Sequence, residues 1–280
     1  MVPTIEVSET RLRAIAQGID ADIDLAEAAL LIARQEYPDI DIRAYLARLD
    51  TLAETAEAMC EGETLADRID GLNRCLFERE GFRGNAQDYY DPRNSFLNEV
   101  LDRKLGIPIT LSVIYLEIGR RMGLPFEGVA FPGHFLVRLA VPDGLIVIDP
   151  FHAGAALDEE EIERRRARAP ASVHGLSMAE LLAPASKRDV LTRMLRNLKH
   201  VYVQRQDYHR AVGILNVILS LAPDALNDLR ERARLYEALE SYRAAQADYE
   251  HYLLRAPAMP DAAEVLERLA AMRRFTARLH

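Results

Sequence analysis

One stretch decides the fold: Gly106–Pro150, which reads GIPITLSVIYLEIGRRMGLPFEGVAFPGHFLVRLAVPDGLIVIDP. A helix is expected from Pro108, because proline suits the first helical turn, where its missing N–H has no partner to lose. The apolar runs 135–139 and 146–148 flank Asp143-Gly144, a dipeptide typical of tight hairpin turns. The stretch therefore predicts a buried helix followed by an antiparallel hairpin.

The predicted hairpin brings two chemically useful side chains together. His134 precedes its first strand and Asp149 ends its second, so both are expected near the same end. An imidazole beside a carboxylate is the orienting half of a Cys-His-Asp site, whose thiol would stand at the start of the preceding helix. Pro108 is found there instead. Thr110 and Ser112 are the nearest hydroxyls, and we expect them to cap or pack, because they start from other positions on the helix.

Three strings carry a resemblance to a known family: YYDPRNS (89–95), GIPITLS (106–112) and PGHFLV (132–137). With them the chain resembles the transglutaminase-like, papain-type superfamily, and most closely a bacterial SirB-type branch that carries tetratricopeptide repeats. The resemblance covers roughly residues 20–270. It implies that His134 is the base, that Asp149 orients it and that Pro108 replaces the nucleophilic cysteine. A regulatory or scaffolding protein follows from that replacement.

The fold class expected is α+β, with a mostly helical N-terminal part, a helix-plus-antiparallel-sheet core and an all-α repeat module. Asn94 and Ser95, polar residues near the predicted site, are each able to cap a helix over 96–104. Farther on, a period of 34 residues is typical of the tetratricopeptide helix–turn–helix. The repeated residues are Leu195, Tyr202, Ala211 and Pro223, which recur as Leu229, Tyr236, Ala245 and Pro257. We predict domains at 1–185 and 186–280, with 261–273 as a closing helix.

Composition narrows the class of protein. The chain has 280 residues, 49% hydrophobic and 28% charged, which is typical of a soluble globular protein with no membrane span. A formal charge of −9 argues against a general nucleic-acid surface. Residues 1–7 do not read as a secretory signal, and the two cysteines, Cys60 and Cys75, suit a reducing compartment. The location expected is the cytoplasm.

Two functions remain open at this point. The first is a non-catalytic regulatory or scaffolding protein that binds a protein or peptide through its repeats. The alternative is a hydrolase or amidase that uses His134 and Asp149 without the usual cysteine. No cofactor is expected, and no metal, because His134, Asp149 and His152 match no standard zinc spacing. The basic run 164–168 follows an acidic one and is predicted to form a self-paired helix.

Overall fold

A computed structural model describes residues 10–12, 14–257 and 259–277. The segment 1–7, which we predict not to be a signal, lies outside the described residues. The chain divides into two compact units between Met194 and Leu195. This division lies C-terminal to the boundary that we predict between residues 185 and 186. It falls within the helix Lys187–Gln204.

The first unit is rich in helices. Its α-helices and its π-helical turn are α1 (Leu25–Ala33), α2 (Ile42–Ala58), α3 (Leu65–Asn73), the π-helix Arg74–Arg79, α4 (Leu97–Arg103), α5 (Pro108–Arg121), α6 (Glu159–Arg168) and α7 (Met178–Leu181). Thr64 caps α3: its hydroxyl accepts from the Asp67 N–H, and the Asp67 carboxylate accepts from the Thr64 N–H. Burial of α1 on nearly every side makes it a core element rather than an amphipathic surface helix.

Helix α5 begins at Pro108, as predicted, and is the central element of the unit. The prediction of a buried helix is confirmed, because its side chains are buried at Leu111, Ile114, Tyr115 and Ile118. The Tyr115 hydroxyl donates to Asn73 Oδ1 at 3.0 Å, which ties α5 to α3. The helix packs on the strand Leu136–Val141 and on the short 3-10 helix Pro150–His152. Helix α5 therefore packs directly beneath the end of the hairpin that carries Asp149.

A four-stranded antiparallel sheet follows α5. Its strands, in spatial as well as chain order, are β3 (Glu127–Val129), β4 (Leu136–Val141), β5 (Gly144–Asp149) and β6 (Ala155–Leu157). The predicted hairpin is confirmed, with Val137 opposite Ile148 at its far end. Its turn is Pro142-Asp143 rather than Asp143-Gly144, because Gly144 already pairs with Val141. Strand β6 is not apparent in the sequence, because three residues are too few to show alternation. The same holds for the two-residue parallel pair β1 (Arg83–Gly84) and β2 (Leu105–Gly106).

The predicted capping role of Asn94 and Ser95 is wrong. Helix α4 starts at Leu97 after Phe96, whose side chain caps nothing. Asn94 and Ser95 belong to a preceding 3-10 helix, Pro92–Ser95, which Asp91 caps through the Arg93 N–H. The buried Asn94 amide bonds to the loop before it instead, donating to the carbonyl oxygen of Asp88 and accepting from the Asn85 amide.

The second unit is built of helices. Its elements are the end of α8 (Lys187–Gln204), then α9 (Tyr208–Leu221), α10 (Leu226–Ala238), α11 (Tyr242–Arg255) and α12 (Ala262–Ala277). Successive helices from α9 to α12 pack against one another, as helical-hairpin repeats do. The predicted closing helix is α12, which buries Val265, Leu269 and Met272 against Tyr249. Among the described residues, no helix is both long and apolar enough to cross a membrane.

Candidate functional site

A tight turn places His134. Phe131–His134 form a β-turn in which the His134 N–H donates to the Phe131 carbonyl oxygen at 3.0 Å. Pro132 presets the second position, and Gly133 has a φ of 72° at the third, which a glycine adopts at little cost. The imidazole is thereby fixed immediately ahead of β4.

The end of β5 places Asp149. Its carboxylate caps the 3-10 helix Pro150–His152 by accepting from the Phe151 N–H at 3.1 Å. The same carboxylate meets the imidazole, with 2.9 Å between Asp149 Oδ1 and His134 Nε2. Because a carboxylate holds no proton, the facing ring nitrogen carries the hydrogen. His134 and Asp149 thus lie at one end of the hairpin, where the sequence predicted them.

Two further side chains converge on Asp149. His152 Nδ1 lies 2.7 Å and Arg165 Nη1 lies 2.6 Å from Asp149 Oδ2. Together with His134 and the Phe151 N–H, they give the fully buried carboxylate four donors. A carboxylate offers about four lone-pair positions, so its acceptor capacity is filled.

Sequence reasoning missed Arg165. The predicted pairs of Glu160 with Arg164 and Glu161 with Arg165 are present along α6. Arg165, however, also reaches across to the sheet and donates to Asp149. Helical spacing predicts Glu161 as the partner of Arg165. It does not show that α6 faces the end of β5, where Asp149 lies.

The electrostatics of Asp149 follow from these contacts. Burial alone would raise the pKa of this carboxyl. Hydrogen bonding and charge at His134, with further hydrogen bonds from Arg165 and His152, outweigh burial and hold the pKa well below its usual range. The carboxyl group of Asp149 is therefore ionised at neutral pH.

No alternative nucleophile is exposed at the start of α5 within the described residues. Pro108, Thr110 and Ser112 are all buried. The Thr110 hydroxyl donates to the Asn94 carbonyl oxygen at 2.7 Å and accepts from the Ile107 N–H. It therefore joins the start of α5 to the 3-10 helix that contains Asn94. Burial raises the pKa of the Cys60 thiol and raises that of Cys75 to about 11, so neither is an activated thiol.

Phe151 lies beside the imidazole. Its ring meets that of His134 edge to face, with 5.9 Å between the centroids. It also covers Gly84, where a Cβ would stand 2.5 Å from the ring. Gly84 pairs with Gly106, two residues before Pro108. An aromatic ring therefore packs between His134 and the strand pair that leads into α5.

A cleft of about 380 Å³ opens beside the dyad. Its lining includes the turn 131–134, His152 and one face of α6 with Glu161, Arg165 and Arg168. The His134 side chain is 16% exposed and that of His152 is 57% exposed. The imidazole of His134 is thus accessible from solvent rather than sealed under side chains.

The same residues meet part of the requirement for a metal site. His134, Asp149 and His152 each offer a ligand atom, and these atoms lie within 4.8 Å of one another. Two imidazoles and a carboxylate suit zinc. The guanidinium of Arg165, 2.6 Å from Asp149 Oδ2, opposes a second cation at that carboxylate. The charge balance thus disfavours a dication here.

Comparison with known sequences follows the same division of the chain. Residues 43–196 match the family described as transglutaminase-like superfamily, and residues 198–270 match tetratricopeptide repeat. A UPF0162 protein of Xylella fastidiosa (strain Temecula1) is 43% identical over 238 residues, covering 84% of each chain. A UPF0162 protein of Vibrio cholerae is 27% identical over 89% of this chain and 93% of its own.

A human protein is also similar. F-box only protein 21 of Homo sapiens is 31% identical over 242 residues, which are 82% of this chain but 36% of that protein. No solved structure matches the chain. The family match spans the helix, the sheet and the dyad described above, and the repeat match spans the second unit. The chain therefore belongs to the transglutaminase-like superfamily, alongside the UPF0162 proteins, and carries a tetratricopeptide-repeat unit after that domain.

Proposed function

We propose that this chain is a cytoplasmic, non-catalytic regulatory or scaffolding protein. In it the transglutaminase-like domain has lost acyl transfer, and the tetratricopeptide unit binds a protein or peptide partner. The unpaired thiols of Cys60 and Cys75 agree with a reducing compartment.

One observation carries the proposal: Pro108, buried at the first position of α5, stands where the resemblance places the cysteine. Covalent acyl transfer needs a nucleophile there, and removing a triad member usually costs several orders of magnitude in rate. Proline also lacks the backbone N–H that such sites often use to stabilise an oxyanion.

The charge on Asp149 supports the same conclusion. In a working triad the carboxylate stabilises the imidazolium that forms when histidine takes a proton. Here Arg165 and His152 share the charge of Asp149 with His134. Asp149 is thus not dedicated to His134, as the carboxylate of a working triad is to its histidine.

The rival function is a hydrolase or amidase that uses the dyad with water. It is favoured by one observation, the opening of the His134 side chain onto the cleft. The two functions differ in whether His134 supports turnover.

We expect the wild-type chain to hydrolyse a panel of activated esters, thioesters and amides no faster than His134→Ala, because the described part of the chain holds no nucleophile beside the imidazole. Initial rates at equal concentration, with both proteins checked for folding by circular dichroism, provide the measurement. Saturable turnover by the wild type that disappears in His134→Ala would establish the hydrolase instead.

Pro108→Cys tests whether Pro108 occupies the ancestral nucleophile position. A thiol at the helix N-terminus near His134 should titrate below the free value of about 8.5, because the helix dipole and an imidazolium both favour thiolate. The folding cost should be modest, roughly 0.4–1 kcal/mol, the usual worth of a proline that fits its site. Thiolate absorbance of Pro108→Cys, with the wild type subtracted, isolates the new group. His134→Ala in that background should raise its pKa, and a thiol indifferent to His134 would disprove the correspondence.

Partner binding is expected to depend on the second unit. A chain ending at Gln204 keeps α8 but removes the four helices that follow it. We expect proteins captured from a cytoplasmic lysate by the intact chain to be lost with the shortened one and kept by His134→Ala. The same set captured by the shortened chain would assign binding to the first unit.

A further inference from the structure

The cleft beside the dyad has one strongly charged wall. Glu161, Arg165 and Arg168 follow one another at spacings of four and three along α6, so they share one face of that helix. The turn 131–134 and His152 form other parts of the lining. Phe131, Pro132 and Pro170 add apolar surface around these polar groups.

Most of the charges at this wall neutralise one another. Arg165 binds both Glu161 and Asp149, and Glu161 also binds Arg164. These contacts lower the pKa of Glu161, which keeps it ionised and paired. Arg168 differs: among the described residues it has no ion-pair or hydrogen-bond partner. The cleft therefore holds a cation whose counter-charge is not supplied by the part of the chain that the structure describes.

The two imidazoles add unused ring nitrogens. His134 Nε2 and His152 Nδ1 face Asp149, and the rings stack with 5.9 Å between their centroids. Within the described ranges, nothing hydrogen-bonds to Nδ1 of His134 or to Nε2 of His152. Each of these nitrogens accepts a hydrogen bond from a phosphate hydroxyl when the ring is neutral, and donates one to a carboxylate or phosphate oxygen when the ring is an imidazolium.

We propose that this cleft binds a small oxyanion group, a carboxylate or a phosphate. Arg168 supplies the charge contact, and His134 and His152 make hydrogen bonds to the same group. A bound metal ion is the competing occupant, and Arg165 beside Asp149 disfavours it. This site is separate from the partner binding proposed for the second unit, and it does not depend on whether the domain is catalytic.

The test uses the intact chain and histidine side-chain NMR signals at pH 7. Sodium phosphate and sodium acetate are titrated separately, at constant ionic strength. We expect the ring signals of His134 and His152 to shift saturably, while those of the other histidines stay unchanged. Tighter binding of phosphate indicates a phosphate-bearing natural ligand, and tighter binding of acetate a carboxylate-bearing one.

Two variants of α6 make the test specific. Arg168→Gln should weaken anion binding about tenfold, the effect of losing one charge-assisted hydrogen bond. Arg164→Gln removes the same charge from the same helix, but Arg164 is paired with Glu160 and Glu161 and does not line the cleft. The anion affinity of Arg164→Gln should stay within about twofold of the wild type, because Glu160 and Glu161 already neutralise the charge that it removes.

Three results would overturn the proposal. The first is the absence of a saturable shift with either anion. The second is equal weakening by Arg164→Gln and Arg168→Gln, which would show a general effect of surface charge. The third is zinc perturbing the signals of His134 and His152 with an affinity that Asp149→Asn abolishes, while neither anion binds.

Discussion

Asp149→Ala is expected to lower the free energy of unfolding by about 3–5 kcal/mol, the usual cost of removing one partner from a buried ion pair. The substitution would leave Arg165 with Glu161 alone, and would deprive both His134 and His152 of their acceptor. It would also uncap the helix Pro150–His152. Calorimetry of the full chain is the suitable measurement, because it resolves which unit's transition moves.

Two further variants help to interpret the loss in Asp149→Ala: one removes only the charge of Asp149, and the other removes a charge at the surface. Asp149→Asn keeps the shape and one oxygen, so it should cost less than alanine. Glu163→Gln, in the exposed pair with Arg166, should change stability by no more than about 0.5 kcal/mol. An Asp149→Ala variant as stable as Glu163→Gln would contradict the assignment of Asp149 as a structural centre.

The pH dependence has a definite sign. The folded pKa of Asp149 lies below its unfolded value of about 3.9, so its contribution is fully present above that pH. It is lost as the pH falls through the lower, folded pKa. The stability difference between wild type and Asp149→Asn should therefore be constant near neutrality and shrink below about pH 4.

Asn94→Ala is expected to cost about 2–4 kcal/mol. The change removes a fully buried amide and leaves the buried Asn85 amide without its partner, at about 1–3 kcal/mol. It also removes the hydrogen bonds that the Asn94 amide donates to the carbonyl oxygens of Asp88 and Tyr89, each worth about 0.5–1.5 kcal/mol. Because this loop carries Tyr89, whose ring packs against Phe151, tyrosine fluorescence should change together with the melting temperature.

The neighbouring Ser95→Ala is the matched control. Ser95 is also buried and lies in the same 3-10 helix, but its hydroxyl makes no hydrogen bond to the described part of the chain. We expect a cost below about 1 kcal/mol, within the range of an ordinary conservative change. Equal losses in the two variants would mean that filling space, rather than the amide hydrogen bonds, holds the loop.

The parts of the fold that the sequence predicts are those set by neighbouring residues. Asp143-Gly144 between two apolar runs predicts the hairpin, and with it the meeting of His134 and Asp149, although the observed turn is one residue earlier, at Pro142-Asp143. Pro108 marks a helix start through its own backbone chemistry, because its ring lacks the N–H that the first turn leaves without a partner. In each case the deciding interaction spans only a few residues, or repeats with a short period.

The features that the sequence does not predict depend on distant parts of the chain. Arg165 reads as one half of a local pair with Glu161, and only the packing of α6 on the sheet brings it to Asp149. Asn94 has the chemistry of a helix cap, yet its amide is used by a loop that folds back over it. A side chain with several suitable partners binds the group that packing leaves unpaired. The local sequence pattern does not show which group that is.

The filled carboxylate of Asp149 has a consequence for evolution. Folded domains are stable by only about 5–15 kcal/mol, so a residue worth about 3–5 kcal/mol is retained by selection for folding alone. His134 and His152 donate to the same anion, so each contributes to the fold as well as to any reaction. Under the loss of acyl transfer that we propose, selection for folding would still hold the histidine and the aspartate in place. The side chain at position 108 has no part in this hydrogen-bond network, so a change of nucleophile leaves the network intact.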